Sequence, residues 1–333
     1  MTIRSQQGGP QVVPSTTGTR LGGRRAVPLQ EKWRSLLSEL RKSWVSYLFV
    51  GPFFLLFVLF IALPTVAAVV LSFTSFNAIE PPTFVGLFNY QVLFTQDLVF
   101  WQYALPNTFL FALIVGPVGY VLSFMLAWLI AQLPDKIRAF YTLAMYAPSM
   151  TAGIAMSVVW LILFSGDRIG YLNNFLLSIG YINEPKLWTT SPEYIMKIMI
   201  VVSLWASMGV GFLAMLAGIQ NVDKLLYEAG RIDGIRSRLQ EIWYITIPAM
   251  KPQMLFGAVM AVVGTLKAGS ISVELTGSNP SPNYAGHLMI NHIDDYGFIR
   301  YEMGYASAIS VVLLIIIYLS SKLCWKLFGS KGE

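Results

Sequence analysis

Long apolar runs constrain this chain more than any other feature of its sequence. A helix that crosses a hydrocarbon core of about 30 Å needs about 20 apolar residues. Six segments reach that length: residues 46–74, 104–131, 139–164, 195–219, 253–276 and 304–325. With 55% hydrophobic and 12% charged residues, the chain also lies outside the composition of soluble domains. We therefore predict an all-α, polytopic membrane protein with six transmembrane helices surrounded by membrane lipid.

The basic residues are unevenly distributed between the two sides of these spans. If the N-terminus lies inside, 18 of the 23 Lys and Arg residues fall in inner segments. The remaining five are Arg168, Lys186, Lys197, Lys267 and Arg300. Because cytoplasmic segments are enriched in Lys and Arg, both termini and the loop 220–252 are predicted to be cytoplasmic. The net charge of +6 then reflects topology and indicates no nucleic-acid partner, since the basic residues form no single patch.

The composition also divides the chain into segments. Residues 1–30 are rich in Gly, Pro, Ser and Thr, which predicts a disordered cytoplasmic tail. Residues 31–44 carry Trp and Leu at helical spacing, which is typical of an amphipathic helix on the inner leaflet; a simple extension of the first span fits the pattern equally well. The six-helix domain follows at 45–326 and includes the polar loop 221–250. Residues 327–333 form a short C-terminal tail.

The polar loop between the fourth and fifth spans has helix signals of its own. Asp223 can cap a short helix, and Asp233-Gly234 should end it, because glycine accepts a positive φ that other residues resist. A second short helix is predicted to follow and to end at Pro248 and Pro252. Such a pair would make a stiff, bent lever; an ordinary amphipathic connector fits the spacing about as well.

In this polar loop the run Leu-Tyr-Glu-Ala-Gly-Arg-Ile-Asp-Gly at 226–234 is followed by Tyr-Ile-Thr-Ile-Pro at 244–248. This order of residues resembles the EAA loop of membrane subunits of binding-protein-dependent ABC importers. Other runs are similar to carbohydrate importers of the maltose-transporter type, in the same order: Phe-Val-Gly-Leu-Phe-Asn-Tyr at 84–90, Asn-Thr at 107–108, Gly-Asp-Arg-Ile-Gly-Tyr-Leu-Asn at 166–173, Leu-Thr-Gly-Ser-Asn-Pro at 275–280 and Met-Gly-Tyr-Ala-Ser-Ala at 303–308. The resemblance is greatest to the first, larger permease of the pair.

This resemblance implies a type I importer permease fold in a bacterial or archaeal cytoplasmic membrane. It implies a transport subunit, and not an enzyme, that imports a sugar or oligosaccharide together with a second permease, two cytoplasmic P-loop ATPases and an extracytoplasmic solute-binding protein. ATP and Mg²⁺ would be bound by the ATPases, so no cofactor is expected in this chain. The residues implied to couple to the ATPases are Leu226, Tyr227, Glu228, Ala229, Gly230, Arg231, Asp233, Gly234 and Pro248.

Two positions of the loop depart from the family pattern. Gly230 stands where the family usually has alanine. Pro248 lies one residue farther from the Asp-Gly pair than is usual. The extra residue is predicted to lengthen the second short helix or to add a bulge.

Two ionisable residues, Lys267 and Glu274, lie within the fifth apolar run. A charge there is costly unless it faces a cavity or a partner, and a spacing of seven puts both on one face of a continuous helix. We predict that this face lines the translocation path; contact with another helix, or a lysine extended toward the membrane surface, fits equally well. Trp160, Trp205 and Asn107 are further candidates for contacts with a sugar.

Several other chemistries find little support in the residues. The chain has no Gly-x-x-x-x-Gly-Lys-Ser/Thr loop for ATP and no recognisable hydrolase motif, so no catalytic residue is predicted. No metal site is predicted either, because His287 and His292 are spaced poorly for zinc and Cys324 is the single cysteine. An ion-coupled secondary transporter is the main alternative. That class typically shows inverted repeats and broken helices, and neither is visible in the sequence.

Overall fold

The computed structural model of the protein describes residues 44–151 and 153–329. The tail predicted at 1–30 and the amphipathic helix predicted at 31–44, apart from Trp44, lie outside the described residues. The last residues of the predicted C-terminal tail also lie outside them.

The chain divides into two compact units, Met1–Ala62 and Leu63–Glu333. The described part of the first unit is helix α1 (Trp44–Phe57) followed by a π-helical turn (Val58–Ala62). The helices of the second unit are α2 (Leu63–Leu71), α3 (Phe88–Thr95), α4 (Leu105–Ala131), α5 (Asp135–Met150), α6 (Gly153–Leu163), α7 (Tyr171–Ser178), α8 (Pro192–Trp205), α9 (Val210–Gln220), α10 (Lys224–Ile232), α11 (Arg238–Glu241), α12 (Ile247–Ala249), α13 (Lys251–Leu266), α14 (Ser270–Thr276), α15 (Met289–Asp294) and α16 (Met303–Phe328).

Short irregular elements link these helices. π-Helical turns occur at Phe100–Ala104, Ile242–Thr246 and Asp295–Ile299, and a 3₁₀ turn at Pro282–Tyr284. Two short strands, β1 (Thr74–Ser75) and β2 (Thr83–Phe84), pair antiparallel with Thr74 opposite Phe84. The all-α fold class is thus confirmed.

Long apolar helices dominate the part of the chain that the structure describes. Four of them are long and apolar enough to cross a membrane: Trp44–Leu71, Phe100–Ala131, Pro192–Gln220 and Met303–Phe328. A bent pair, Arg238–Ala249 with Lys251–Leu266, gives a fifth if it is one span. The predicted span at 139–164 corresponds to α5 and α6, with the undescribed residue 152 between them. The polytopic membrane fold is confirmed, and the count of six spans stays a prediction.

Two of the predicted spans contain breaks that the sequence did not reveal. The fourth is interrupted at 206–209, between α8 and α9. The fifth is interrupted at 267–269, between α13 and α14. These breaks are not visible in the sequence, because a break of three or four residues leaves an apolar run unchanged in composition.

The central helices pack through small residues. Helices α4, α9 and α13 pack against one another, and a Cβ on Gly211 of α9 would lie 3.4 Å from the Cα of Gly257 in α13. Lipid tails are as apolar as the side chains, so helices in a membrane associate through such close packing. Phe212 and Met250 are fully buried in the same core.

Candidate functional site

The polar loop between α9 and α13 folds as two short arms that meet at a bend, and residues 223–249 are named the elbow segment here. The Asp223 side chain accepts a hydrogen bond from the Leu225 N–H at 2.9 Å and so caps α10. Helix α10 ends at Ile232, and Gly234 then adopts a φ of +94°, a conformation that favours glycine. The predicted cap and the predicted glycine break are both confirmed.

The second arm begins with a reciprocal capping box. Ser237 Oγ accepts from the Gln240 N–H at 3.2 Å, and Gln240 Oε1 accepts from the Ser237 N–H at 3.1 Å. The arm continues through the π-helical turn Ile242–Thr246, which holds one residue more than an α-helical turn. This turn is the bulge that the extra residue before Pro248 suggested. The chain then bends by 85° between Arg238–Ala249 and α13.

Ion pairs and a hydrogen bond hold the two arms together. Glu241 is buried, and its carboxylate lies 2.9 Å from Arg238 Nη1 and 3.6 Å from Arg231 Nε. Tyr227 Oη and Thr246 Oγ1 are hydrogen-bonded at 2.9 Å. Only the pair of Glu241 with Arg231 crosses between the arms, since Arg238 belongs to the same arm as Glu241. Because both arginines are largely exposed, these pairs add little to global stability.

Gly230 is buried where the arms cross. A Cβ at this position would lie 2.7 Å from Ile245 Cδ1 and 3.1 Å from Ile235 Cδ1. This close approach is a physical reason for glycine where the family usually has alanine. It also makes Gly230 and the π-helical turn that carries Ile245 parts of one packing arrangement.

Most of the predicted coupling residues remain exposed. The exposed ones are Leu226, Glu228, Ala229, Arg231, Asp233, Gly234 and Pro248. Tyr227 is half-buried and faces the other arm. A cavity of about 520 Å³ opens between the arms, and Leu226, Ala229, Tyr244 and Pro248 are among its lining. An exposed apolar groove on a rigid, charged segment is typical of a surface for a protein partner.

A second cavity, the membrane cavity, lies among α4, α8, α9, α13 and α14. Its volume of about 430 Å³ falls within the roughly 300–1,000 Å³ of small-molecule sites. The cavity adjoins both helix breaks, since Gly209 and Ala268 belong to its lining. The walls are mainly apolar. Their polar side chains are Tyr120, Ser123, Ser203, Ser207, Thr265, Ser270 and Glu274.

The predicted path residues are distributed differently from the expectation. Glu274 lines the membrane cavity, whereas Lys267 is exposed and is not part of the lining. The prediction that the two share one helix face was wrong, because α13 ends at Leu266 and Glu274 belongs to the separate helix α14. The break removes the helical register on which that prediction relied.

The remaining candidates for the path lie away from the cavity lining. Trp160 and Trp205 form an edge-to-face pair with ring centroids 5.1 Å apart. Asn107 Nδ2 donates to the backbone oxygens of Tyr284 at 2.9 Å and His287 at 3.2 Å. Asn107 therefore anchors a loop to the start of α4, and the sugar contacts of these three residues stay predictions.

Four buried side chains form a hydrogen-bonded group, which we call the buried clasp. Its members are Asp97, His287, His292 and Tyr305. Asp97 Oδ2 accepts from Tyr305 Oη at 2.6 Å and from His292 Nε2 at 2.8 Å. Asp97 Oδ1 accepts from the Phe100 N–H at 2.9 Å. His292 Nδ1 then faces His287 Nε2 at 3.1 Å, and His287 Nδ1 has no partner within the described chain. The clasp thus joins Asp97 to residues that lie 195 and 208 positions later in the chain.

Burial and hydrogen bonding set the charges of the clasp. Burial alone raises the pKa of Asp97, but hydrogen bonds from His292 and Tyr305 outweigh it and lower that pKa to about 2. Burial lowers the pKa of His287 to about 3, with repulsion from His292 and Arg300 adding to the effect. Among the described residues, no group of three or more His, Cys, Asp and Glu side chains could hold a metal ion. The two histidines therefore meet through a hydrogen bond, in an arrangement that their sequence spacing did not predict.

Apolar spans, a cavity at two helix breaks and a rigid exposed elbow together define a membrane transport subunit. The family model of the binding-protein-dependent transport system inner membrane component matches residues 119–323. The chain belongs to this family.

Curated relatives and a solved structure agree with this family. The chain is 32% identical over 307 residues to the arabinooligosaccharides transport system permease protein AraP of Bacillus subtilis (strain 168), which covers 91% of this chain and 94% of the relative. It is 29% identical over 274 residues to the lactose transport system permease protein LacF of Rhizobium radiobacter. That match covers 82% of this chain and 90% of the relative. Its fold is similar to that of a bacterial ABC transporter involved in the import of the acidic polysaccharide alginate, with a TM-score of 0.69, 24% identity, and coverage of 88% of this chain and 99% of the other.

Family membership confirms the resemblance drawn from the loop motifs. The chain is a permease subunit of an ABC import system and a component of an inner membrane. This result gives no support to the ion-coupled secondary transporter, even though the structure contains broken helices.

Proposed function

We propose that this chain and a second permease together form the path of an ATP-driven importer for a saccharide, which an extracytoplasmic solute-binding protein delivers. The elbow segment carries the proposal, because it is rigid, exposed and joined directly to α13, which lines the membrane cavity. A displacement of the elbow would therefore move a wall of the cavity. The named substrates of AraP and LacF support a saccharide.

The energy for transport would come from partner subunits. The sequence has no phosphate-binding loop, so two cytoplasmic P-loop ATPases would bind ATP and Mg²⁺ and dock on the groove between the arms. Leu226 and Ala229 would supply apolar contacts there, and Glu228 and Arg231 polar ones. This arrangement requires the elbow segment and both termini to lie in the cytoplasm.

The orientation can be tested with two matched cysteine variants. Ile232 in the elbow is 87% exposed and Ile169 in the loop after α6 is 84% exposed. In a Cys324→Ser background, a membrane-impermeant maleimide added to intact cells should label Ile169→Cys and leave Ile232→Cys unlabelled until the membrane is opened. Labelling of Ile232→Cys alone in intact cells would reverse the proposed topology.

Coupling can be tested by straightening the bend. Proline fixes φ near −65°, so Gly234→Pro cannot keep the φ of +94° and should misplace the second arm. The matched control is Gly180→Pro, since Gly180 also has a positive φ, +72°, and each glycine N–H donates to the carbonyl three residues earlier. Gly234→Pro should reach the membrane normally, yet lose co-purification of the ATPases and ATP-dependent uptake. Normal association and uptake in Gly234→Pro would contradict the coupling role.

A further inference from the structure

The described residues that line the membrane cavity include one acidic side chain and no basic one. Of the described residues that line it, Glu274 is the only one with an ionisable carboxyl, guanidinium, ammonium or imidazole group. The other polar groups are hydroxyls. No described basic side chain lines the cavity to balance that carboxyl.

The carboxyl of Glu274 also has no polar partner among the described residues. It makes no hydrogen bond or ion pair within the described chain, and the same holds for the hydroxyl of Ser203. The hydroxyls of Tyr120 and Thr265, by contrast, donate to backbone oxygens of Met254 and Ala261. An ionised carboxylate only accepts hydrogen bonds, so Glu274 is available to donors on a bound molecule.

Glu274 is held in place from outside the cavity. It lies in α14, just after the break at 267–269, and Asn291 Nδ2 donates to the oxygen of Gly269 at 2.9 Å. Ile290 packs so closely that a Cβ on Gly269 would lie 2.4 Å from its Cγ2. The start of α14 therefore has little freedom to turn Glu274 out of the cavity.

We propose, building on the transport function above, that Glu274 makes the membrane cavity selective for uncharged saccharides over anionic ones. Sugar hydroxyls are donors that a carboxylate can accept from, whereas a carboxylate or phosphate on the substrate would meet a like charge. Inside a mainly apolar cavity that repulsion is stronger than in water, and unpaired like charges are an established means of rejecting a wrong ligand. The family alone leaves this point open, since its fold serves both lactose and the acidic polysaccharide alginate.

The test uses the purified transporter complex without its binding protein, so that the membrane subunits alone select the ligand. Binding of arabinotriose, of a mannuronate trisaccharide and of a glucosamine trisaccharide is measured by calorimetry at pH 7. The wild type should bind arabinotriose at least tenfold more tightly than the mannuronate, a preference worth about 1.4 kcal/mol. Glu274→Gln, which keeps the shape but removes the charge, should bring that ratio close to one.

A control variant separates the effect of the cavity from that of overall charge. Glu184 is exposed in the loop after α7, and Glu184→Gln should keep the wild-type ratio. The glucosamine trisaccharide carries ammonium groups that the same carboxylate attracts, so it should bind the wild type more tightly than Glu274→Gln. Equal binding of arabinotriose and the mannuronate to the wild type, an unchanged ratio in Glu274→Gln, or glucosamine binding that Glu274→Gln does not weaken would each overturn the proposed selectivity. If no saccharide binds at all, the proposed saccharide path itself fails, which is a different outcome.

Discussion

The elbow segment and the buried clasp are built in opposite ways. In the elbow, caps and turns join near neighbours, and the contact between Tyr227 and Thr246 spans 19 positions. In the clasp, Asp97 bonds to His292 and Tyr305 across 195 and 208 positions. The elbow is largely exposed, whereas all four clasp side chains are buried. Local chemistry thus shapes the surface that a partner would bind, whereas long-range polar contacts join segments of the chain that are far apart in sequence.

The difference follows from what each region must do. An exposed lever can rely on capping and a glycine turn, because water satisfies its remaining polar groups. A buried carboxylate has no such solvent and must find every partner within the protein. Loss of one partner should therefore cost far more in the clasp than in the elbow.

The largest effect is expected for Asp97→Asn. Asn has one accepting oxygen, whereas the carboxylate accepts with Oδ2 from Tyr305 and His292 and with Oδ1 from the Phe100 N–H. In either orientation the amide NH2 faces another donor, so a buried hydrogen bond is lost and the free energy of unfolding should fall by about 3 kcal/mol. The matched control is Asp135→Asn, which breaks the exposed pair of Asp135 with Arg138 and should change stability little. Titration with sodium dodecyl sulfate, followed by tryptophan fluorescence, measures both. If both variants lost the same free energy of unfolding, buried polar contacts would contribute no more to stability than exposed ones.

A smaller effect is expected for Gly230→Ala. The added methyl group would collide with Ile245 Cδ1, at a local cost of about 2 kcal/mol, and should open the joint between the arms. The rate of trypsin cleavage at Arg236, an exposed residue near the bend, reports that opening. Ile245→Val removes the colliding atom, so the double variant should be cleaved more slowly than Gly230→Ala alone. If the change in cleavage rate in the double variant equals the sum of the changes in Gly230→Ala and Ile245→Val, the two residues do not form one packing arrangement.

The mildest effect concerns pH. The pKa of His287 is about 3 in the folded protein and about 6.5 in an unfolded chain. Between these values only the unfolded state is protonated, so stability should fall as the pH drops below 6.5, by up to about 1.4 kcal/mol per pH unit. Asp97 adds a similar loss only below about pH 4, because its folded pKa is about 2.

The pH effect can be assigned by comparing unfolding titrations at pH 7 and pH 5.5. The wild type should lose about 1.4 kcal/mol more than His287→Gln between these two values. An identical loss in both proteins would mean that His287 takes up a proton in the folded state as readily as in the unfolded one.

Much of the elbow could be read from its sequence because its signals are local. Asp223 lies directly before the helix it caps, and Gly234 lies where the turn needs a positive φ. The extra residue before Pro248 suggested a bulge, and the π-helical turn at Ile242–Thr246 is one. The burial of Glu241 was missed, since on its own helix it is one polar residue among several.

For the membrane-spanning part, the sequence predicted the helices but not their breaks or their polar contacts. The apolar runs predicted helices of the right kind, but the break at 267–269 separates Lys267 from Glu274. Of these two ionisable residues, only Glu274 is among the described residues that line the membrane cavity. No residue pattern marks that break, because the Asn291 amide that satisfies Gly269 comes from another segment. Asn107 Nδ2 binds two backbone oxygens of a distant loop, a contact that the sequence did not indicate, and its contact with a sugar stays a prediction.

The sequence by itself determined the membrane class, the family, and the caps and turns of the elbow segment. These depend on apolar length and on interactions between residues a few positions apart, and both are legible in the order of the side chains. The tertiary structure alone decided which polar groups are buried together, where the spans break and which carboxyl faces the membrane cavity. Those outcomes depend on contacts between segments distant in sequence, and a buried polar group takes whichever partner the folded chain brings within hydrogen-bond distance.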